Sequence, residues 1–175
     1  MLPALAGHPT ARLSWLAGLF VCVSVMGAAP VGGAAAAAGL GISVQAEKAN
    51  IAAEDPHVHW AQPTKAGLLT AYTGTGDQGR AHYDLLGMGG ALYEVEGTIS
   101  ASNEAQGVKL GEIQDALALP FAGRPELNWY ESQVKRIQSG TFPRTTKVFG
   151  RARVGLDFSA EGTVLVLRET VQPAD

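Results

Sequence analysis

The sequence predicts an α+β domain: a small antiparallel sheet of four to six strands with one amphipathic helix packed on it. Two patterns in the last third of the chain favour this fold, an apolar stripe at helical spacing followed by an alternating strand pattern. Short apolar runs bounded by glycine precede them, as expected for further strands. The chain is 46% hydrophobic and 17% charged, a composition typical of a globular protein.

Residues 1–46 have the organisation of an export leader. Arg12 precedes an uncharged apolar stretch, Leu13 to Ala29, and a run of small residues follows, which is the pattern of a cleavable signal peptide. Cleavage fits in the alanine run 34–38 or after Ala46, and we favour the second position. A retained leader would instead be just long enough to anchor the chain in the membrane. We therefore predict a periplasmic or secreted bacterial protein, with an inner-membrane anchored protein facing the periplasm as the alternative.

Cys22 is the only cysteine in the chain, and it lies inside the leader. A domain without the leader has no thiol, which excludes disulfides, thiolate metal sites and a cysteine nucleophile. Such a domain must be stabilised by burial of its core, and the remaining length is sufficient for that.

The exported part divides into an irregular lead-in, residues 47–66, and a single domain, residues 67–175. Turn signals at Asp55-Pro56 and Gln62-Pro63 mark the lead-in. In the domain, 67–72 and 91–100 are predicted strands, separated by a glycine-rich loop and by one or two helical turns over 80–88. Residues 102–107 are predicted to be a loop and 120–125 a connector, while 110–119 remain ambiguous.

The last third gives the clearest prediction. A helix is expected over Glu126–Ser139, and Gly140 is suited to end it. Residues 146–158 alternate between apolar and polar side chains, which predicts one half-buried strand. A hairpin turn follows at 159–162, where Gly162 is free to take a positive φ, and 163–171 is the partner strand.

Residues 74–79 match the dinucleotide-binding pattern G-x-G-x-x-G. The pattern binds a pyrophosphate where a helix begins directly after it inside a doubly wound sheet. The segment that follows is too short and too rich in glycine for such a crossover. We therefore expect a surface loop, and no cofactor.

His57 and His59 form an H-x-H pair close to Glu54 and Asp55. Imidazoles at alternate positions of a strand share a face and can ligate copper or zinc. Two histidines alone make an open, incomplete metal site, so the alternative is a solvated segment. Together with the glycine loop 74–79, the pair suggests a periplasmic carrier of a small ligand or a metal.

Six basic residues follow one another with no acid between them: Lys135, Arg136, Arg144, Lys147, Arg151 and Arg153. Such a surface fits an envelope protein or an anionic envelope polymer or lipid, and the alternative is a solvated face without a partner. We expect no nucleic-acid partner for an exported, mildly acidic protein, and membrane contact only if the leader is retained. The sequence has no G-x-S-x-G elbow or other catalytic constellation, so a non-enzymatic binding protein is predicted.

Residues 134–167 resemble the first half of the C-terminal domain of TonB- and TolA-type energy transducers. The matching positions are Ile137, Phe142-Pro143-Arg144 and the hairpin from Gly150 to Val164. The second helix and third strand of that family have no counterpart here, and neither has its proline-rich spacer. The resemblance implies a periplasmic domain without enzymatic activity that recognises envelope proteins by strand addition, with residues 163–171 as the edge strand.

Overall fold

In the computed structural model, which describes residues 39–174, one antiparallel sheet carries three helices on one face. The helices are α1 (Val44–Glu54), α2 (Glu104–Ala122) and α3 (Arg124–Gln138). The strands are β1 (His59–Trp60), β2 (Thr64–Ala66), β3 (Leu69–Gly76), β4 (Ala81–Met88), β5 (Ala91–Ala101), β6 (Arg144–Phe149), β7 (Ala152–Glu161) and β8 (Val164–Pro173). The predicted α+β class is confirmed, although the sheet has eight strands rather than four to six.

The strand order is β1-β3-β4-β5-β8-β7-β6, with β2 also paired to β3. Each half of the described chain therefore repeats one plan, in which helical structure precedes a three-stranded meander. The last strands of the two meanders, β5 and β8, pair with each other at the centre of the sheet. The sequence shows no repeat because the two halves share topology and not residues.

The prediction that residues 163–171 form the edge strand is wrong. β8 is hydrogen-bonded to β5 on one side and to β7 on the other. The second meander runs inward from β6, so β6 is one edge of the sheet, and β1 and β2 lie at the other. The chain order of the strands gave no indication of this direction.

The single strand predicted over 146–158 is in fact a hairpin. Phe149 pairs with Ala152, and Gly150 and Arg151 form the turn between them. Gly150 has a φ of 58°, the left-handed conformation that such a tight turn requires. The alternating pattern predicted one strand because Val148 and Phe149 are both apolar. A single strand would place Val148 in the core, whereas in the hairpin Phe149 is buried and Val148 is exposed. The predicted turn at Gly162 is confirmed, with φ at 64°.

The segment predicted as an irregular lead-in contains a helix. Ser43 caps α1, its Oγ accepting a hydrogen bond from the Ala46 N–H at 3.1 Å. Just before the helix, the N–H of Leu40 donates to the carbonyl of Leu92 at 2.8 Å. Residues 39–46 thus belong to the folded domain, and cleavage after Ala46 would remove the cap of α1. The rest of the predicted leader, residues 1–38, lies outside the described residues.

Two other segments differ from the prediction. Residues 80–88, expected to contain helical turns, form β4, and the expected loop and connector around 102–125 belong largely to α2. Asn103 caps α2 by accepting from the Gln106 N–H at 3.0 Å, and the Gln106 side chain accepts in turn from the Ser102 N–H. The glycines and Pro120 inside α2 obscured it in the sequence. The predicted helix over 126–139 is confirmed as α3.

The core lies between the helices and one face of the sheet, termed the covered face. Buried residues of this face alternate with half-buried or exposed ones along most of β4, β7 and β8, and the largest fully buried side chains include Tyr83, Leu85, Leu92, Ile99, Leu156 and Tyr130. The other face, termed the open face, carries a polar row of cross-strand neighbours: Thr75, His82, Thr98, Arg168, Asp157 and Arg144. Within residues 39–174, no helix is long and apolar enough to span a membrane.

Candidate functional site

The histidine pair and the glycine loop meet in one groove at a corner of the sheet. The groove has a volume of about 630 Å³ and is lined by Asp55, Pro56, His57, His59, Lys109 and residues 75–79. The C-terminal end of α1 closes one end of the groove. β1 forms one wall, and the turn between β3 and β4 forms the opposite wall. The structure therefore places the histidine pair and the glycine loop, which the carrier hypothesis combines, beside each other.

Asp55 lies at the buried side of the groove, where it ends α1. It is 2% exposed, and its Oδ2 accepts a hydrogen bond from the Tyr83 hydroxyl at 2.8 Å. Burial, reinforced by this hydrogen bond, raises the pKa of Tyr83 well above its usual value, so the phenol stays a donor. Gly76 makes the arrangement possible, because a Cβ at that position would overlap the Asp55 carboxylate.

The turn that follows β3 holds two non-glycine residues in the left-handed region, Asp77 with φ 41° and Gln78 with φ 58°. Arg80 fixes the turn by donating to both carboxylate oxygens of Asp77, at 3.0 and 3.1 Å. Such backbone conformations are costly and are retained where the surrounding structure imposes them, often at binding sites. A short turn and then β4 follow the glycine loop, where a dinucleotide-binding loop requires the N-terminus of a helix.

Polar and charged side chains surround the groove. His57 and His59 are exposed on its rim, and Lys109 of α2 donates to the backbone carbonyl of Glu54 beside it. Among the described residues, no group of three His, Cys, Asp or Glu side chains is placed to hold a metal ion. The geometry therefore supports the small-ligand form of the carrier hypothesis more than its metal form.

The six predicted partner-binding residues surround β6 but do not form one flat surface. Lys135 and Arg136 lie in the last turn of α3, and Arg151 lies in the β6–β7 turn. On the strands themselves, Arg144 and Arg153 project from the open face. Lys147 lies on the covered side, with its Nζ 5.1 Å from the centre of the Phe149 ring.

β6 itself is an unprotected edge. Within residues 39–174 it pairs with β7 alone, so one side of its backbone is not hydrogen-bonded to the sheet. Val148 on this strand is 52% exposed, and Phe142, just before it, is 39% exposed. Arg144 is 3.6 Å from Asp157, a largely exposed ion pair that contributes little stability.

The sequence reasoning missed a group of polar residues inside the core, termed the buried carboxyl cluster: Glu47 of α1, Gln114 of α2, Glu126 of α3 and Glu169 of β8. All four are fully buried. The Gln114 amide donates to Glu126 Oε1 at 2.9 Å and to Glu169 Oε1 at 3.3 Å. One glutamine thereby joins two helices to the central strand.

Burial raises the pKa of every carboxyl in this cluster. Desolvation brings the pKa of Glu47 to about 8, and desolvation with the nearby charge of Asp115 brings that of Glu126 to about 7. Glu169 is also raised, by desolvation first and then by the charge of Glu126. The cluster thus favours protonated carboxyls near neutral pH.

One signal in the sequence points to this cluster. On β8, the inward-facing positions read Leu165, Leu167, Glu169 and Val171, so a glutamate occupies an apolar position. Glu126 begins the apolar stripe of α3 in a similar way. Neither departure stands out until the strands have been assigned to their faces.

Comparison with known proteins gives no relative. No protein-family model, no curated protein and no solved structure matches this chain. The resemblance to energy-transducer domains therefore remains a prediction.

Proposed function

We propose that this is a non-enzymatic protein of the bacterial cell envelope that binds an acidic, extended segment of a partner protein along β6. The unpaired edge of β6, with basic residues on both sides of the sheet, carries the proposal. In strand addition, an extended segment forms main-chain hydrogen bonds along such an edge, and its side chains determine specificity.

The placement of the basic residues matches an added strand. Side chains of a strand alternate between the two faces of a sheet, so an acidic segment presents carboxylates to both. Arg144 lies near the open face of the edge and Lys147 near the covered face. Lys135 and Arg136 add positive charge on the helical side. Basic side chains on both faces of the sheet edge therefore fit an added strand. They fit a flat polymer poorly, because a flat polymer would contact only one face.

Exposed apolar side chains support the same proposal. Val148 projects from near the end of β6, and Phe142 lies two residues before the strand begins. These side chains give a bound segment apolar contacts that long-range charge attraction alone does not provide. Basic residues on an edge strand also prevent aggregation in many proteins, so a binding measurement must separate the two roles.

The test uses a fluorescein-labelled ten-residue peptide of glutamate, threonine and valine, with a lysine-for-glutamate peptide as the control ligand. Fluorescence anisotropy should show binding of the acidic peptide alone. The double variant Arg144→Glu/Lys147→Glu should weaken binding by about tenfold or more. Lys65→Glu reverses a charge on β2, at the opposite edge, and should leave binding unchanged.

Two results would count against strand addition at β6. One is an acidic peptide that does not bind at low salt, and the other is an equal loss of affinity in Lys65→Glu. Backbone amide shifts in the nuclear magnetic resonance spectrum give the location: they should change along β6 and not along β1 or β2.

Export is the second part of the proposal. The leader pattern supports it, and the packing of Leu40 and Ile42 against the core favours cleavage in the alanine run 34–38 over cleavage after Ala46. Intact mass and cell fractionation should give a periplasmic species that retains Ser43. An unprocessed species in the cytosol would contradict export.

The groove supports a second candidate function, the binding of a small polar ligand. The convergence of Asp55, His57 and His59 with the left-handed turn at Asp77 and Gln78 is the observation in its favour. A thermal-shift screen with small polar metabolites tests it. A ligand that stabilises the wild type but not His57→Ala/His59→Ala would support this function, and a screen without any such compound would remove it.

A further inference from the structure

The buried carboxyl cluster lies where the helical layer meets the centre of the sheet. Glu47, Glu126 and Glu169 come from three elements that are distant in sequence, and all are shielded from solvent. Gln114 connects two of them through its amide group. The cluster therefore lies where α1 and α3 pack on α2, the helix that contacts β5 and β8 at the centre of the sheet.

The charges acting on the centre of this cluster are all acidic. Glu169 is affected by Glu126, Asp115 and Glu47, and no basic group is among its causes of shift. From the elements packed around it, the facing titratable groups are Glu47 of α1, Asp115 of α2, and Glu126 and Tyr130 of α3. Further out, Glu54 and Glu112 act on Asp115, and Lys109 lies 3.6 Å from Glu112 at the other end of the contact.

Several polar atoms of the cluster have no partner. Among the described residues, buried atoms without a hydrogen bond are Glu47 Oε1, Gln114 Oε1, Glu126 Oε2, Tyr130 Oη and Glu169 Oε2. The Tyr130 hydroxyl can donate a hydrogen bond, and so can a carboxyl that is protonated. The other oxygen atoms in this group can only accept. A carboxylic acid would supply the missing donor to a neighbouring oxygen, whereas an ionised carboxylate would add an uncompensated buried charge.

A metal ion does not replace these protons. Among residues 39–174, no three acidic or histidine side chains are placed to hold one. Protons on the carboxyls are donors that can satisfy these oxygens.

We propose that protons bound at Glu47, Glu126 and Glu169 hold the helical layer on the sheet, so that α1 and α3 detach from α2 and the sheet when the pH rises above neutral and pack again on acidification. The device is built into the fold and is independent of what binds at β6. Because burial raises the pKa values of these carboxyls, the change falls near and above neutral pH.

Hydrogen–deuterium exchange followed by mass spectrometry tests this directly. Amide protection, corrected for the intrinsic pH dependence of exchange, is compared at pH 6 and pH 9 for the wild type and for Glu47→Gln/Glu126→Gln/Glu169→Gln. Glutamine keeps the shape of the side chain and cannot ionise. In the wild type, protection of residues 124–138 should fall by about tenfold or more, since one ionising group displaced by one pH unit changes an equilibrium tenfold. The triple variant should change by less than about twofold.

Glu161→Gln is the matched control, because it removes an exposed carboxyl at the end of β7. This variant should follow the wild type. Protection that is unchanged in the wild type between pH 6 and pH 9 would overturn the proposal, and so would an equal loss in the triple variant.

If the triple variant does not fold, the single variant Glu169→Gln and the wild-type profile decide the question. A wild type whose α3 peptides lose protection reversibly above pH 7, with a smaller loss in Glu169→Gln, supports proton-dependent packing. A loss of the same size in both proteins contradicts it.

Discussion

Arg168 and Glu169 are adjacent in β8 but lie on opposite faces of the sheet. Arg168 projects from the open face, where its Nε is 3.2 Å from Glu96, and both side chains remain in contact with solvent. Glu169 projects into the core, where Gln114 is its hydrogen-bond partner and the surrounding charges are acidic. On the open face charge is paired and hydrated, whereas on the covered face burial raises the pKa values of the carboxyls and favours their uncharged form.

The two faces should therefore respond to different variables. Ion pairs on the open face should be weakened by salt, since solvent ions screen exposed charges. Carboxyls on the covered face should respond to pH, because their protonation differs between the folded and unfolded states. A substitution on the open face can therefore serve as the control for a similar substitution on the covered face.

The largest effect is expected from glycines on the two faces. On the covered face, a Cβ at Gly97 would overlap Leu117 of α2, so Gly97→Ala should lower the free energy of unfolding by about 3 kcal/mol. On the open face, a Cβ at Gly155 would lie 2.6 Å from Thr170 Oγ1, the end of a side chain that can rotate away. Gly155→Ala should cost less than about 1 kcal/mol. Urea denaturation measures the free energy of unfolding of both variants. Similar losses in the two variants would contradict the expected difference between the faces.

An intermediate effect is expected from removing one carboxyl on each face. The pKa of Glu169 is raised in the folded state, so above pH 4.5 the unfolded state, but not the folded one, gives up this proton. Stability is thereby lost as the pH rises, so Glu169→Gln should be more stable than the wild type at pH 8 and differ little from it at pH 4. Glu96→Gln on the open face should change stability by less than about 0.5 kcal/mol. Equal effects of Glu169→Gln at both pH values would contradict this account.

The smallest effect is expected from the open-face ion pair itself. A double-mutant cycle of Arg168→Ala and Glu96→Ala should give a coupling free energy of about 0.5 kcal/mol, because both groups are partly exposed. In 1 M salt the coupling should fall close to zero. A coupling that persists at high salt would show that the open face is less hydrated than its exposure indicates.

The sequence predicted the fold class and the elements with a strong local period. α3, β5 and the turn at Gly162 are recognisable because each depends on residues close together in the chain. α1 and α2 were not recognised, because alanine, glycine and Pro120 mask the apolar stripe by which a helix is found. The β6–β7 turn was missed because apolar residues at both Val148 and Phe149 fit either register.

The sites depend on contacts between distant residues, and for that reason they were predicted only in part. The sequence singled out His57, His59 and the glycine loop, but only the folded chain brings them to one groove beside Asp55. It also identified the basic residues without revealing that they flank an edge strand. The buried carboxyl cluster was not foreseen, since each glutamate becomes exceptional only when its strand or helix is packed.

If protonated carboxyls hold the covered face together, the stability of the protein must depend on pH. The free energy of unfolding of the wild type should be measured by urea denaturation from pH 4 to pH 9. With folded pKa values of about 7 for Glu126 and about 8 for Glu47, against 4.5 when unfolded, it should fall between about pH 4.5 and 8. The slope should reach about 1.4 kcal/mol per pH unit for each proton released. A free energy of unfolding that stays constant or rises over this range would contradict the account.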